Sequence, residues 1–100
     1  MLRARPSNPE TDEFEDVRGT LSVSRSGVYF HTNLDTYELG MRLFVTLPYS
    51  QDPTATNREY LAEVARVLPL VTGMYGVGIK LLMEIGFQQS STPFSAAQRK

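Results

Sequence analysis

"REYLAEVARVLPL", residues 58–70, is the stretch on which the fold turns, because Tyr60, Leu61, Val64 and Leu68 fit one face of a helix as well as alternating positions of a strand. Its β-branched Val64 and Val67, with Pro69 leading into "VTG" (71–73), favour an arm of a hairpin entering its turn. The next segment, "MYGVGIKLLM" (74–83), supports the same reading. There Val77, Ile79, Leu81 and Met83 alternate with Gly76, Gly78 and Lys80, a period of two that gives one apolar face.

Working outward, "RLFVTLP" (42–48) places Leu43, Val45 and Leu47 on one side and stops at Pro48, which has no N–H for a ladder. "GVYFHT" (27–32) puts Val28, Phe30 and Thr32 on one face and Tyr29 and His31 on the other. From Glu15 to Val23 the alternation predicts a strand with Val17, Leu21 and Val23 buried and Asp16, Arg18, Thr20 and Ser22 outward. "NLDTYELG" (33–40), with Gly40 suited to a positive φ, and "QDPTATN" (51–57) read as loops. "RPSNPETDE" (5–13), rich in Pro, Ser, Asn and acids, reads as another. Five strands, and a sixth if "LRAR" (2–5) adds a short or incomplete first one, predict an all-β fold: a small six-stranded antiparallel β-barrel, whose closure hides the sheet edges. The expected domain covers 1–87, with a flexible arm and loop over about 1–13 and a polar tail at 88–100.

Composition narrows the function classes. Ten Lys and Arg against eleven Asp and Glu leave a net charge of −1, without the basic footprint of a duplex-DNA binder. The absence of cysteine removes disulfide frameworks, thiolate zinc sites and cysteine nucleophiles. With no apolar run approaching a membrane span and no leader-like segment behind the first arginines, a cytoplasmic location is expected. No paired carboxylates, nucleophile with base, or metal constellation stands out, so a receptor is expected rather than an enzyme. The single histidine, His31, reads as a surface or packing residue. The acids Asp12, Glu13, Glu15 and Asp16 read as a solvated loop.

One polar stretch carries chemistry. In "SVSRSG" (22–27) Ser22 and Ser24 project two hydroxyls to one side, Gly27 permits a sharp return, and Arg25 offers a planar fork of donors at the corner. Such a set suits a purine edge and a phosphate. It equally suits a plain turn stabilised by hydroxyl-to-backbone bonds. Arg66 faces either that side or open solvent. Tyr29, Phe30 and Phe44 are the aromatics that a nucleic-acid-stacking barrel would use, a reading the near-neutral charge ranks lower.

Taken together, "TLSVSRSGVYFHTN" (20–33), "YELGMRLFVTLPYS" (37–50) and "AEVARVLPLVTGMYGVGIKLLM" (62–83) resemble a PilZ domain, the bacterial receptor module for cyclic di-GMP, over about residues 14–83. The resemblance implies a six-stranded barrel with no cofactor, and a ligand held by an R-x-x-x-R motif and a D/N-x-S-x-x-G motif. Ser24 and Gly27 match the second motif, and Ser22 stands where the family has Asp or Asn, a shorter and uncharged acceptor. No R-x-x-x-R is present. Arg3 and Arg5, in Arg3-Ala4-Arg5, are the nearest feature, and "LRARPS" then corresponds to the family's first strand with the arginine motif upstream of Met1. The implied ligand-binding residues are Ser22, Ser24, Arg25, Gly27, Arg3 and Arg5. The implied function is cyclic di-GMP reception, with a protein partner or larger parent protein receiving the signal. The alternative is a degenerate PilZ domain that has lost the ligand and serves as a protein-interaction module.

Overall fold

A computed structural model of the chain describes residues 1–8, 10, 13–50, 52, 54–71 and 73–89, the last three as backbone only. It contains seven strands: β1 (Leu2–Pro6), β2 (Asp16–Arg18), β3 (Thr20–Val23), β4 (Gly27–Thr32), β5 (Arg42–Thr46), β6 (Thr56–Pro69) and β7 (Tyr75–Gln89). All pair antiparallel in the order β2-β1-β5-β6-β7-β4-β3. The two ends of that order, β2 and β3, are consecutive in the chain and separated by Gly19 alone. One bent segment thus pairs with β1 through its first half and with β4 through its second, which brings the sheet round into a nearly closed barrel. The break at Gly19 accounts for seven strands where six were expected.

The stretch at 58–70 is a strand, the first arm of the long β6–β7 hairpin. Period-two alternation holds through the middle of the chain. Val28 and Phe30 of β4, Leu43 and Val45 of β5, Ala62 and Val64 of β6, and Val77 and Ile79 of β7 all point into the core. Val28 and Val64 both stand opposite Ile79, so one apolar layer crosses β4, β7 and β6. Phe30, fully buried, is therefore core and offers nothing to a stacking ligand. Gly40 has the positive φ expected of it, 85°.

Three expectations are corrected. The flexible arm is, over Leu2–Pro6, a strand hydrogen-bonded on both sides, with Leu2 and Ala4 fully buried. The face assigned to Glu15–Val23 is inverted over its first part and shifted back by the extra residue Leu21: Asp16 is 3% exposed and Val17 37%, whereas Ser22 stands outward opposite Tyr29 as expected, and Leu21 and Val23 are 60% and 55% exposed. Asp16 therefore belongs to no solvated loop. A buried carboxylate requires donors, and here its Oδ2 accepts from Thr32 Oγ1 at 2.6 Å and Tyr37 Oη at 3.0 Å, while Oδ1 accepts from Arg18 Nε at 2.6 Å. Arg18 in turn donates to Asn33, and the Leu34 N–H to Thr32 Oγ1. Since β2 and β3 do not pair with each other, this network ties β2 to β4 and to the following loop where the ladder is missing. Burial first, and the adjacent Asp16 carboxylate second, push the Tyr37 hydroxyl pKa well above the usual tyrosine range.

The third correction concerns Met83, which is 57% exposed instead of sharing the face of Ile79. Ala62 pairs with Leu81 but Leu61 pairs with Met83, so Leu82 is an extra residue that reverses the alternation of β7 beyond it. Strand β7 continues through Gln89, past the expected domain limit; of the expected 88–100 tail, residues 90–100 lie outside the described residues.

Candidate functional site

The turn that opens on Ser22 is tight. The Ser24 N–H donates to the Gly27 carbonyl at 2.8 Å, which leaves Arg25 and Ser26 at the apex. The Ser24 hydroxyl closes the same loop, accepting from the Gly27 N–H at 3.2 Å and donating to the Gly27 carbonyl at 3.3 Å. The hydroxyl proton and one lone pair are then used, and one acceptor lone pair is left. Gly27 is needed for close approach: a Cβ there would stand 3.1 Å from the Ile79 carbonyl oxygen. The Leu81 N–H donates to the Ser26 carbonyl at 2.9 Å and pins the apex onto β7.

Register then assembles a row across the outer surface. Ser22 stands opposite Tyr29, Tyr29 opposite Gly78, and Gly78 opposite Arg66. Residues paired this way share a face of the sheet. Tyr29 lies across β7, because a Cβ at Gly76 would overlap its hydroxyl and come within 2.8 Å of its Cζ. The Arg66 guanidinium carbon sits 5.6 Å from the Tyr29 ring centroid, within cation–π range, and His31 meets the same ring edge-on at 5.3 Å. A cleft of about 400 Å³ opens there, lined by Ser22, Ser24, Gly27, Tyr29, Arg66 and Gly78 among others.

Charge in this region is positive. Lys80 is opposite Gly27 in β4 and opposite Glu63 in β6, and it makes no ion pair among the described residues. Glu63 is held by Arg42 at 3.6 Å. The cleft thus joins a flat aromatic ring, two hydroxyls and a guanidinium, with an ammonium on the adjoining register position. That chemistry suits an anion carrying a planar ring.

Of the six residues expected to bind ligand, Ser22, Ser24 and Gly27 line the cleft, and Arg25 stands exposed at the turn apex beside it. Arg3 and Arg5 are not brought to it. They lie on β1 and neither lines the cleft. Arg3 is 3.5 Å from Glu15 and 3.7 Å from Glu59, Arg5 is 3.8 Å from Glu59, and they lie over the rings of Tyr49 and Phe44 respectively. Lys80 was not foreseen, and its signal is faint: it is the one cation within the Gly76-Val77-Gly78 strand.

A second open cavity, of about 850 Å³, is lined by Met1, Glu15, Asp16, Arg18 and Tyr49. Its buried acid, Asp16, is already satisfied by the closing network, which makes this wall structural. Among the described residues no cluster of His, Asp and Glu is arranged to hold a metal ion, and no helix is long and apolar enough to cross a membrane. No protein-family profile, curated protein or solved structure matches this chain.

Proposed function

We propose that this chain is a PilZ-type barrel that binds cyclic di-GMP, a dinucleotide with two phosphates and two guanines, in the cleft between the β3–β4 turn and β6. The observation that carries the proposal is the convergence of Ser22, Ser24 and Gly27, the segment resembling the family's second motif, with the Tyr29–Arg66 stack in one cleft. In this reading a guanine lies against the Tyr29 ring and donates from its N1–H and N2–H₂ groups to the free lone pairs of Ser22 and Ser24. Arg66 and Lys80 supply the phosphate contacts, taking the place of the absent R-x-x-x-R pair. The domain then acts in the cytoplasm as a receptor, not an enzyme, and passes occupancy to a protein partner or a larger parent protein.

Calorimetric titration with cyclic di-GMP tests this. Binding is expected with a Kd below about 100 µM, and Arg66→Ala should weaken it at least about tenfold, since a charge-assisted hydrogen bond contributes roughly 1.5–3 kcal/mol. Absence of binding at that concentration sinks the receptor reading. The second reading, a degenerate barrel serving as a protein-interaction module, is favoured by one arrangement: Arg3 and Arg5 are both engaged with Glu59, whose side chain is only 14% exposed. It predicts no heat on addition of ligand, and Arg66→Ala then changes nothing.

A further inference from the structure

The hairpin β6–β7 is longer than the barrel it helps to build. Strand β4 pairs with β7 from Thr32 opposite Tyr75 to Gly27 opposite Lys80, and its last hold is the bond from the Leu81 N–H to the Ser26 carbonyl. Strand β7 nevertheless runs on to Gln89, paired on its other side with β6 as far as Thr56 opposite Gln89. Along 82–89 one edge of the strand therefore has no hydrogen-bonded neighbour among the described residues. A row of open backbone donors and acceptors is a template for another strand.

Protein edges of this kind are ordinarily guarded by proline or by lysine. Residues 82–89, "LMEIGFQQ", contain neither. Leu82, Met83 and Ile85 are instead exposed along it. On the outer face the register places Met83 opposite Leu61 and Leu61 opposite Phe44, so the apolar row continues inward over β6 and β5.

We infer that the free edge of β7 pairs antiparallel with the same edge of a second copy of this chain, forming a two-fold dimer with one sheet running through both barrels. Charge favours a second copy over a strongly charged partner. The one charged residue in the segment, Glu84, is neutralised within its own chain by Arg58 at 3.0 Å, so no charge is left for an oppositely charged partner to meet. The whole chain carries a net charge of only −1, so two copies approach without strong repulsion. Antiparallel self-pairing is isologous, with the same backbone groups used twice. The β4 turn confines it to positions from Leu82 onward. The extra residues at Leu82 and Ile85 increase the local twist, which keeps the shared ladder short and the dimer dissociable.

Sedimentation velocity of the full chain between about 5 and 500 µM tests the inference, because a short edge-to-edge ladder belongs in the micromolar range. A monomer–dimer equilibrium is expected, with amide exchange at 82–86 slowing as concentration rises. Replacing Met83 and Ile85 by lysine (M83K/I85K) should raise the dimer dissociation constant at least about tenfold with the circular dichroism unchanged. A chain that stays monomeric to the top of the range overturns the inference. So does a dimer that M83K/I85K leaves intact, and so do 82–86 amides protected equally at the lowest concentration, which would mean the edge is covered within one chain. If the charged variant misfolds, Leu82→Glu, at the start of the open edge, provides the same reading.

Discussion

Replacing Asp16 by alanine should open the barrel at the seam where β2 gives way to β3 and no ladder joins them. The Asp16 side chain is 2% exposed and accepts from Thr32 at 2.6 Å, Tyr37 at 3.0 Å and Arg18 at 2.6 Å. Alanine removes all three acceptors and leaves a buried threonine hydroxyl, a buried phenol and a half-buried guanidinium facing a void. Removing one partner of a buried ion pair costs about 3–5 kcal/mol, because the remaining groups stay desolvated. The three bonds share one carboxylate, so their separate values do not add, and the lower half of that range is the expectation. A domain of this size has roughly 5–15 kcal/mol of stability in all. At about 4–8 °C per kcal/mol, the midpoint of thermal unfolding should fall by at least about 12 °C. Urea and thermal melts followed by far-ultraviolet circular dichroism would measure it. Asp16→Asn, which keeps one carbonyl acceptor, should fall between the variant and the wild type. Glu15→Ala, an exposed acid on the neighbouring residue, should change stability by less than about 0.5 kcal/mol. A loss for Asp16→Ala below about 1 kcal/mol would refute the reasoning, since the seam would then be closed by something else.

The raised pKa of Tyr37 makes stability fall at high pH: the unfolded tyrosine loses its proton from about pH 10 while the folded one retains it, so the contribution is complete below that pH and declines above it. The slope from this one group approaches about 1.4 kcal/mol per pH unit, and Tyr37→Phe should remove it; an unchanged alkaline slope in the variant would exclude Tyr37 as its source. Gly76→Ala forces the Tyr29 ring off β7 and should cost about 1–3 kcal/mol in urea unfolding. Gly78→Ala, whose Cβ would meet Arg66 at an ordinary 3.6 Å, should cost less than about 0.5 kcal/mol, and equal costs at the two glycines would contradict the placement of that ring. Phe30→Ala, at a fully buried core position, should cost about 3–5 kcal/mol in the same assay.

Strands β4 to β7 were legible because their apolar residues alternate and each is bounded by Gly, Pro or a polar loop. The segment from Glu15 to Val23 misled for a physical reason. Alternation counts apolar side chains, and here the inward position is held by a carboxylate whose three donors come from Arg18, Thr32 and Tyr37. Two of these lie in other elements, so no local pattern announces them. The first strand was half legible: "LRAR" reads both as a short strand and as part of a flexible arm, because its arginines lie on the outer face while Leu2 and Ala4 fill the inner one.

The cleft divides along the same line. Ser22, Ser24 and Gly27 are neighbours in sequence, so their convergence needs only the turn that Ser24 and Gly27 themselves close. Arg66 arrives from another strand, and its side of the sheet depends on a single residue. Val64 points inward opposite Ile79; strict alternation from it would send Arg66 inward as well, into the core. But Val64 pairs with Ile79 and Arg66 with Gly78, so Ala65 is an extra residue that resets the phase. That bulge turns Arg66 outward onto Tyr29 and lets Val67 return to the inner face opposite Val77. A bulge is a property of two strands in register, so neither arm of the hairpin shows it alone. It is also what places a guanidinium within reach of the serine turn. Deleting Ala65 tests this: without the extra residue Arg66 follows Val64 directly, and plain alternation keeps Arg66 outward opposite Gly78 and Val67 inward opposite Val77. The expected result is a loss of stability well below the roughly 3–5 kcal/mol of Phe30→Ala, and a loss of that size would show that Ala65 is not the residue that sets the phase.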